Sequence, residues 1–472
     1  MNYRKDYDET DPISIENYSQ KLIGKTFQEV IDEDILSASS IVGEESAYGG
    51  KLLEVHKGDF GTTIEKHFFH YEPNSKAQPD FPEAGVELKV TGYKIGANGK
   101  LSAKERLSLG MINYCQVAEE VFETSHMWSK CRLMLLVFYL YEKGLANKYD
   151  FRIDYSKLFT PPEQDVKIIK HDFEIIVEKI KAGKAHELSE SDTLYLGAAT
   201  KASTSKDRTI QPYSDELAKP RAFSFKNSYM TYVLNNYIVP SKTTFEPIMK
   251  ANSVDSLEDY VVHRINEYTG KTVAELCETF EVHIDKKPKN LEALLAYRML
   301  GIKGNRAEEF EKANVVVKAI RIGKNNKIRE HMSFPAFKFK ELAVEEWEDS
   351  IFGNYLRETR FLFVVYKYDE NGELRLKGCQ FWNMPYADLE EVKIVWRRTQ
   401  AIVRDGVQIT LSNGIRYNNF PGQKENRIAH VRPHARNAQD TYELPDGSRF
   451  TKQCFWLNNT YILSQLDERF FD

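Results

Sequence analysis

Polar and apolar positions alternate over residues 86–90, VELKV, so Val86, Leu88 and Val90 share one face of a predicted strand while Glu87 and Lys89 share the other. Upstream, in KGDFGTTIEKHFFHY (57–71), Phe60, Ile64 and Phe68 recur at helical spacing, which predicts a helix with a buried stripe and Glu65 on its flank. The continuous apolar run RLMLLVFYLYEKG (132–144) reads as a buried strand entering a turn, and so does RFLFVVYKYDENG (360–372). SLGMINYCQVAEEVF (108–122) carries a helical pattern.

The two apolar runs align without gaps at an offset of 228, and four further pairs follow in the same order. VKII (166–169) matches VKIV (392–395), FSFKNSYMTYVL (223–234) matches FWLNNTYILSQL (455–466), IGKTFQEV (23–30) faces TGKTVAEL (269–276), and AHELSES (185–191) faces AHVRPHA (429–435). Conserved order across five pairs predicts two copies of one fold. The stretch IVPSKTTFEPIMKANSVDS (238–256), with two Pro and several Ser, Thr and Asn, suits a junction near 240–255. The expected domains are 1–240 and 255–472. Each copy mixes helices with strands, so the class is α/β with mixed α+β character, a mixed sheet flanked by helices.

Composition changes this picture little. A chain of 472 residues, 42% hydrophobic and 29% charged, exceeds what one core usually serves and excludes disorder. No apolar run approaches the roughly 18 residues of a membrane span, and the polar start MNYRKDYDETDPISIENYS lacks the apolar core of a secretion signal, so a cytoplasmic protein without membrane contact is expected. Five scattered cysteines with no CxxC pair suggest neither zinc nor disulfides, and a net charge of −5 leaves a local basic face free to bind DNA.

The chemistry sits in PDFPEAGVELKV (79–90). Pro82 and Gly85 permit a turn that returns Asp80 toward Glu87, next to Lys89. With Glu65 beside them, three carboxylates and a lysine suit phosphodiester hydrolysis: Asp80 and Glu87 can hold Mg²⁺ through hard oxygen ligands, and Lys89 can orient or deprotonate water. In the second copy Val316 stands opposite Glu87, Lys318 opposite Lys89 and Glu309 opposite Asp80 at an offset of 229, and Tyr297 opposite Glu65. The scaffold is kept there and the constellation lost. EKHFFH offers Glu65, His67 and His70 but no recognisable zinc spacing, and neither a G-x-S-x-G elbow nor a Walker loop occurs.

KGDFGTTIEKHFF, DFPEAGVELKV and FETSHMWSK (122–130) together resemble the MutH family, whose pattern runs KG-x2-G-x3-E, DF-x3-GVELK and WETSH-x3-K. In size and duplication the chain is similar to the large two-lobed type II restriction endonucleases of that family. The resemblance implies two tandem MutH-like lobes of the PD-(D/E)xK fold, the second without the catalytic set. It implies catalytic roles for Glu65, Asp80, Glu87, Lys89 and Lys130, with Mg²⁺ held by Asp80, Glu87 and the Leu88 carbonyl. The implied reaction is hydrolysis of double-stranded DNA 5′ of the G in GATC, leaving 5′-phosphates and four-base 5′ overhangs.

The loop HVRPHARNA (430–438) resembles the family's R-P-K-x2-N-A recognition loop, which points to Arg432, His434 and Arg436 as DNA contacts, with His434 in place of the usual Lys. In the first lobe Leu188 and Ser189 are expected opposite Arg432 and Pro433; Glu190 could accept from a cytosine amino group, and Lys201, Lys206 and Arg208 could grip phosphates. FSFKNSYM resembles the family's F-Y-L-K-K-N-F-T and places Lys226 at a DNA-facing position, while Phe223, Phe225 and Tyr229 suit the core. The expectation is a restriction enzyme whose second lobe binds another site as effector, which dimerises on DNA and works alongside a cognate methyltransferase. Its rivals are a nickase of hemimethylated GATC and a DNA-binding protein without catalysis.

Overall fold

The computed structural model describes residues 6–42, 59–72, 78–96, 99–201, 204, 206–239, 245–249, 256–283, 290–347, 350–412 and 415–471. Lys57 and Gly58 of the first motif, and most of the expected junction, lie outside them. The chain divides into two compact units, Met1–Leu188 with Asp192–Thr244 and Glu311–Ala313, and Ser189–Ser191 with Phe245–Phe310 and Asn314–Asp472. The architecture is mixed α/β.

The described strands of the first unit are β1 (Glu87–Ile95), β2 (Leu101–Ala103), β3 (Leu107–Met111), β4 (Met134–Leu140), β5 (Ile153–Phe159), β6 (Leu196–Thr200), β7 (Thr209–Gln211), β8 (Ser214–Ala218) and β9 (Arg221–Phe225). One sheet has the order β2-β1-β4-β5, with β1 parallel to β4 and the other pairs antiparallel; a second has the antiparallel order β3-β9-β6. Val86, Leu88, Leu135, Val137 and Tyr139 pack with Ile15, Phe27, Ile64 and Phe68 of the N-terminal segments in one core. Leaving β5, the chain enters the helix Glu163–Lys181, which starts after Pro162 with Glu163 and Asp165 and ends with Lys179 and Lys181, matching the helix dipole at both ends.

The second unit contains β10 (Val315–Ile322), β11 (Met332–Ser333), β12 (Arg360–Tyr368), β13 (Leu374–Trp382), β14 (Ile409–Ser412), β15 (Ile415–Asn418), β16 (Ala429–Pro433), β17 (Thr441–Glu443), β18 (Arg449–Thr451) and β19 (Gln453–Leu457). Its sheet orders, β10-β12-β13 and β11-β19-β16, correspond to β1-β4-β5 and β3-β9-β6, again with a parallel first pair. The helix Tyr386–Asp405 stands where Glu163–Lys181 stands in the first unit. The likeness reaches the caps. Thr26 and Glu29 exchange backbone and side-chain hydrogen bonds at 2.7 and 3.2 Å, as Thr272 and Glu275 do at 2.7 and 3.1 Å. Both threonines form an isolated antiparallel bridge to an arginine, Arg152 and Arg375.

Three sequence expectations are corrected. The helix over 108–122 does not form: Leu107 and Leu109 are buried alternately, Gly110 has φ +147°, and the segment pairs with β9 before a short helix, Tyr114–Val117, capped by Asn113. The gap-free offset of 228 inverts the faces of the second strand. Lys89 faces Leu136 and Lys318 faces Phe363, so an offset of 229 in the first strand requires 227 in the second, and Tyr139 then matches Tyr366. A one-residue slip exchanges every inward and outward side chain, which an apolar run cannot reveal because both its faces are buried. Finally, AHELSES does not match AHVRPHA. His186 lies in the short helix Ala185–Glu187, whereas Ala429 begins β16 and faces Leu457, the counterpart of Phe225. Phe225 faces Leu196, so LGAATK (196–201) is the counterpart of AHVRPH (429–434).

Candidate active site

The DFPEAGV turn closes on an antiparallel bridge between Phe81 and Val86, and Gly85 takes φ +67°, a left-handed conformation that a side chain disfavours. This return sets Asp80 beside the start of β1, where its carboxylate accepts from the Leu88 N–H at 2.9 Å. On the opposite face from Val86 and Leu88, Glu87 is 2% exposed. Its Oε1 accepts from Lys89 Nζ at 2.7 Å and from Lys130 Nζ at 3.1 Å. Lys130 arrives from the helix His126–Cys131, whose N-cap Ser125 belongs to the ETSH motif. Glu65 comes from the helix Asp59–His67, anchored by the fully buried Ile64 and by Phe69 just beyond its end.

The electrostatics show that these groups share one site. Burial first, then the Asp80 carboxylate, push Glu65 up to about 7, with Glu87 adding to the rise and Lys89 and Lys130 opposing it. Burial and Glu87 likewise raise Asp80, against the Leu88 N–H and the two lysines. Three carboxylates are thus coupled to two ammonium groups, leaving excess negative charge at a largely buried site. Asp80 and Glu87 are hard oxygen donors, and among the described residues no three His, Cys, Asp or Glu side chains converge as a ready-made metal cage. A pair of carboxylates fits Mg²⁺, which keeps several waters and takes one or two such ligands, better than it fits zinc. His67 and His70 turn away to Asp34, at 2.9 and 3.6 Å.

Tyr71 was not visible in the sequence. Among the described residues its buried hydroxyl has no hydrogen-bond partner, and burial, Asp80, Glu65 and Glu87 in that order hold it well above the usual tyrosine range. A phenol kept protonated against three carboxylates is a donor with nothing to donate to. No spacing rule marks it; only the left-handed His70 and the ring packing on Phe81 bring it there.

The expected DNA-contacting residues divide. Lys201, Lys206, Arg208, Arg432, His434 and Arg436 are exposed. Lys201 occupies the position of His434, and hence of the Lys in R-P-K, once β6 is matched to β16. Ser189 and Glu190 lose the positional argument for base contact: Ser189 bonds Ser191 at 2.9 Å, and Glu190 begins a short helical turn. Lys226 is corrected outright. It is 6% exposed, donates to the Thr193 carbonyl, and its charge opposes the burial that raises the pKa of the fully buried Asp172. A lysine so enclosed braces β9 against the preceding segment instead of facing DNA.

Comparison with known proteins agrees with this chemistry. Residues 69–172 match the family described as DNA mismatch repair enzyme MutH. Over 465 residues, 89% of this chain and 94% of the relative, the sequence is 38% identical to the type II restriction enzyme Sau3AI of Staphylococcus aureus. DNA mismatch repair protein MutH of Vibrio campbellii is 24% identical over 48% of this chain and 93% of its own length, and that of Shewanella baltica strain OS185 is 26% identical over 42% and 88%. The molecule is a site-specific deoxyribonuclease. It belongs to the MutH-related family of type II restriction enzymes that includes Sau3AI.

Proposed function

We propose that the chain is a Mg²⁺-dependent restriction endonuclease acting on double-stranded DNA at GATC, cutting 5′ of the G to leave 5′-phosphates and four-base 5′ overhangs. The observation that carries this reading is the convergence of Glu65, Asp80, Glu87, Lys89 and Lys130 on one half-buried site. In this reading residues 1–240 form a catalytic PD-(D/E)xK lobe. Residues 255–472 form a MutH-like lobe without the catalytic set that binds a second site as effector. The restriction relative aligns with most of the chain and the repair proteins with about half, which favours restriction over nicking. A dimer assembled on DNA gives duplex cleavage from one active site per chain, and a methyltransferase of matching specificity protects the host in the cytoplasm. Among the described residues no helix is long and apolar enough to cross a membrane.

Asp80 and Glu87 would hold a magnesium ion, which when bound would supply charge neutralisation at the scissile phosphate. The remaining steps belong to the chain. Lys89 would orient the attacking water from its place beside Glu87, while Lys130 keeps the Glu87 carboxylate in place. Glu65, with its pKa near 7, can take a proton from that water's hydrogen-bond network. Tyr71 then donates its hydroxyl to an oxygen in the site. Tyr71→Phe is expected to lower the single-turnover cleavage rate by about one to two orders of magnitude with DNA affinity unchanged. An unaltered rate would return Tyr71 to the core.

The experiment that tests the metal site follows from Glu65. Its folded pKa lies above its unfolded value of 4.5, so protonation stabilises the fold below pH 4.5 and that contribution is lost as pH rises through 7. Mg²⁺ relieves the repulsion that remains above pH 7, so the rise in Tm on adding Mg²⁺ should be larger at pH 8 than at pH 5. Asp80→Asn should remove most of it. An equal rise at both pH values, or one retained by Asp80→Asn, places the ion elsewhere.

A further inference from the structure

The second unit has a cavity of about 600 Å³ along β10, which lies at the edge of its sheet. Lys318 lines it. Like Glu87 and Lys89 in β1, Lys318 is on the strand face opposite the one that meets the helix preceding its strand: Tyr366, on the face shared with Val317 and Ala319, donates to the carbonyl of Glu292 in the helix Leu291–Met299. The counterparts of the two carboxylates that flank Lys89 do not serve it. Val316 stands where Glu87 is expected, and Glu309, the expected counterpart of Asp80, is turned to the N–H groups of Ile248 and Met249 at 2.8 and 2.9 Å. Lys318 itself makes no hydrogen bond or ion pair among the described residues. Burial alone lowers its pKa, with no carboxylate offsetting it.

The rest of the cavity has the same sign. Arg321, Arg329 and Arg432 join Lys318, against only Glu292 and Glu330, and Arg321 already binds both carboxylates at 2.8 and 2.9 Å. Arg432 lies over the Trp456 ring at 5.6 Å and forms no ion pair among the described residues. Trp456 also lines the cavity, and its buried indole N–H has no acceptor among the described residues. A desolvated ammonium and a guanidinium without an ion pair among the described residues therefore border the same space. The first unit's site carries surplus negative charge and suits a cation; this one carries surplus positive charge and suits an anion.

We propose that this cleft seats a backbone phosphodiester of DNA without a metal ion, gripped by Lys318 and Arg432. The seat rests on the reading of the second lobe as a DNA-binding effector lobe and specifies how that lobe holds its site. A polymer fits better than a free nucleotide because Arg432 and Arg436 are both exposed and can serve more than one phosphate. The loss of the catalytic set thus left a holding site: Val316 in place of one carboxylate, with Glu309 turned away, removes the need for a cation and leaves Lys318 to meet phosphate directly. Such a seat binds DNA but cannot hydrolyse it.

The test uses the full chain in EDTA with a short GATC-bearing duplex. Lys318→Met should weaken binding on the order of tenfold at low salt and reduce the slope of log affinity against log salt by about 1, while Lys318→Arg keeps both near wild type. Melting temperature verifies that Lys318→Met folds, which removal of an unpaired buried charge should favour. Amine acetylation read by mass spectrometry gives an independent measure, with the duplex expected to protect Lys318. Unchanged affinity and slope in folded Lys318→Met, or protection by inorganic phosphate but not by duplex, would overturn the proposal. Because these assays contain no divalent ion, loss of the nuclease reading would show separately, as wild-type protein that leaves DNA intact in Mg²⁺.

Discussion

Glu87→Gln is expected to reduce Mg²⁺-dependent cleavage by about three orders of magnitude or more, roughly 4 kcal/mol of activation free energy. The carboxylate is 2% exposed, and both Lys89 and Lys130 donate to it. Its neutral isostere offers one weak acceptor where a charged pair of oxygens stood, so the site loses cation affinity and leaves two ammonium groups facing each other. That repulsion should lower stability by about 1–3 kcal/mol. Binding of DNA without metal should move the other way and tighten, because one of three repelling carboxylates has gone. The opposite signs separate a catalytic role from a structural one: a carboxylate that merely braced a strand would cost stability and leave cleavage per folded molecule near normal. Quenched-flow cleavage, thermal melting and binding in EDTA read the three effects on the same variant.

The largest effect on folding is expected at Asp172. It is fully buried on the helix Glu163–Lys181 and accepts from the N–H groups of Leu194, Tyr195 and Leu196 at 2.8, 2.6 and 2.9 Å, holding the entry to β6. Burial raises its pKa to about 6, with the Lys226 charge and the three N–H groups pulling the other way. Asp172→Ala strands three buried donors and should destabilise the first unit by about 4 kcal/mol. Lys226→Met should cost about 2 kcal/mol through the lost charged hydrogen bond to Thr193, with the salt dependence of DNA binding unaltered. Urea unfolding and a salt titration of binding decide this. A reduced salt slope would restore Lys226 to the DNA surface.

Local chemistry was legible in the sequence wherever it depended on neighbours in the chain. Pro82 and Gly85 announce the turn that brings Asp80 to Leu88, and the alternation in VELKV sets Glu87 and Lys89 on one face. The matched T-x-x-E caps at Thr26 and Thr272 are equally local. Errors arose where distant pairing decides. Residues 107–111 look helical until β9, more than a hundred positions later, supplies strand partners from Ala222 to Phe225. The match of AHELSES to AHVRPHA followed a shared Ala-His, whereas the ladders β9–β6 and β19–β16 fix the true correspondence and promote Lys201. Lys226 is placed at a DNA-facing position by the likeness of FSFKNSYM to the family's F-Y-L-K-K-N-F-T; its burial goes with the buried carboxylate of Asp172, which no pattern around residue 226 discloses.

The account stands most directly on where DNA is broken. Unmethylated genomic DNA digested with the full chain in Mg²⁺ and sequenced at its termini should yield fragments whose 5′-phosphorylated ends begin GATC. Ends with no common sequence, or DNA left intact by folded protein with Mg²⁺ present, would contradict it.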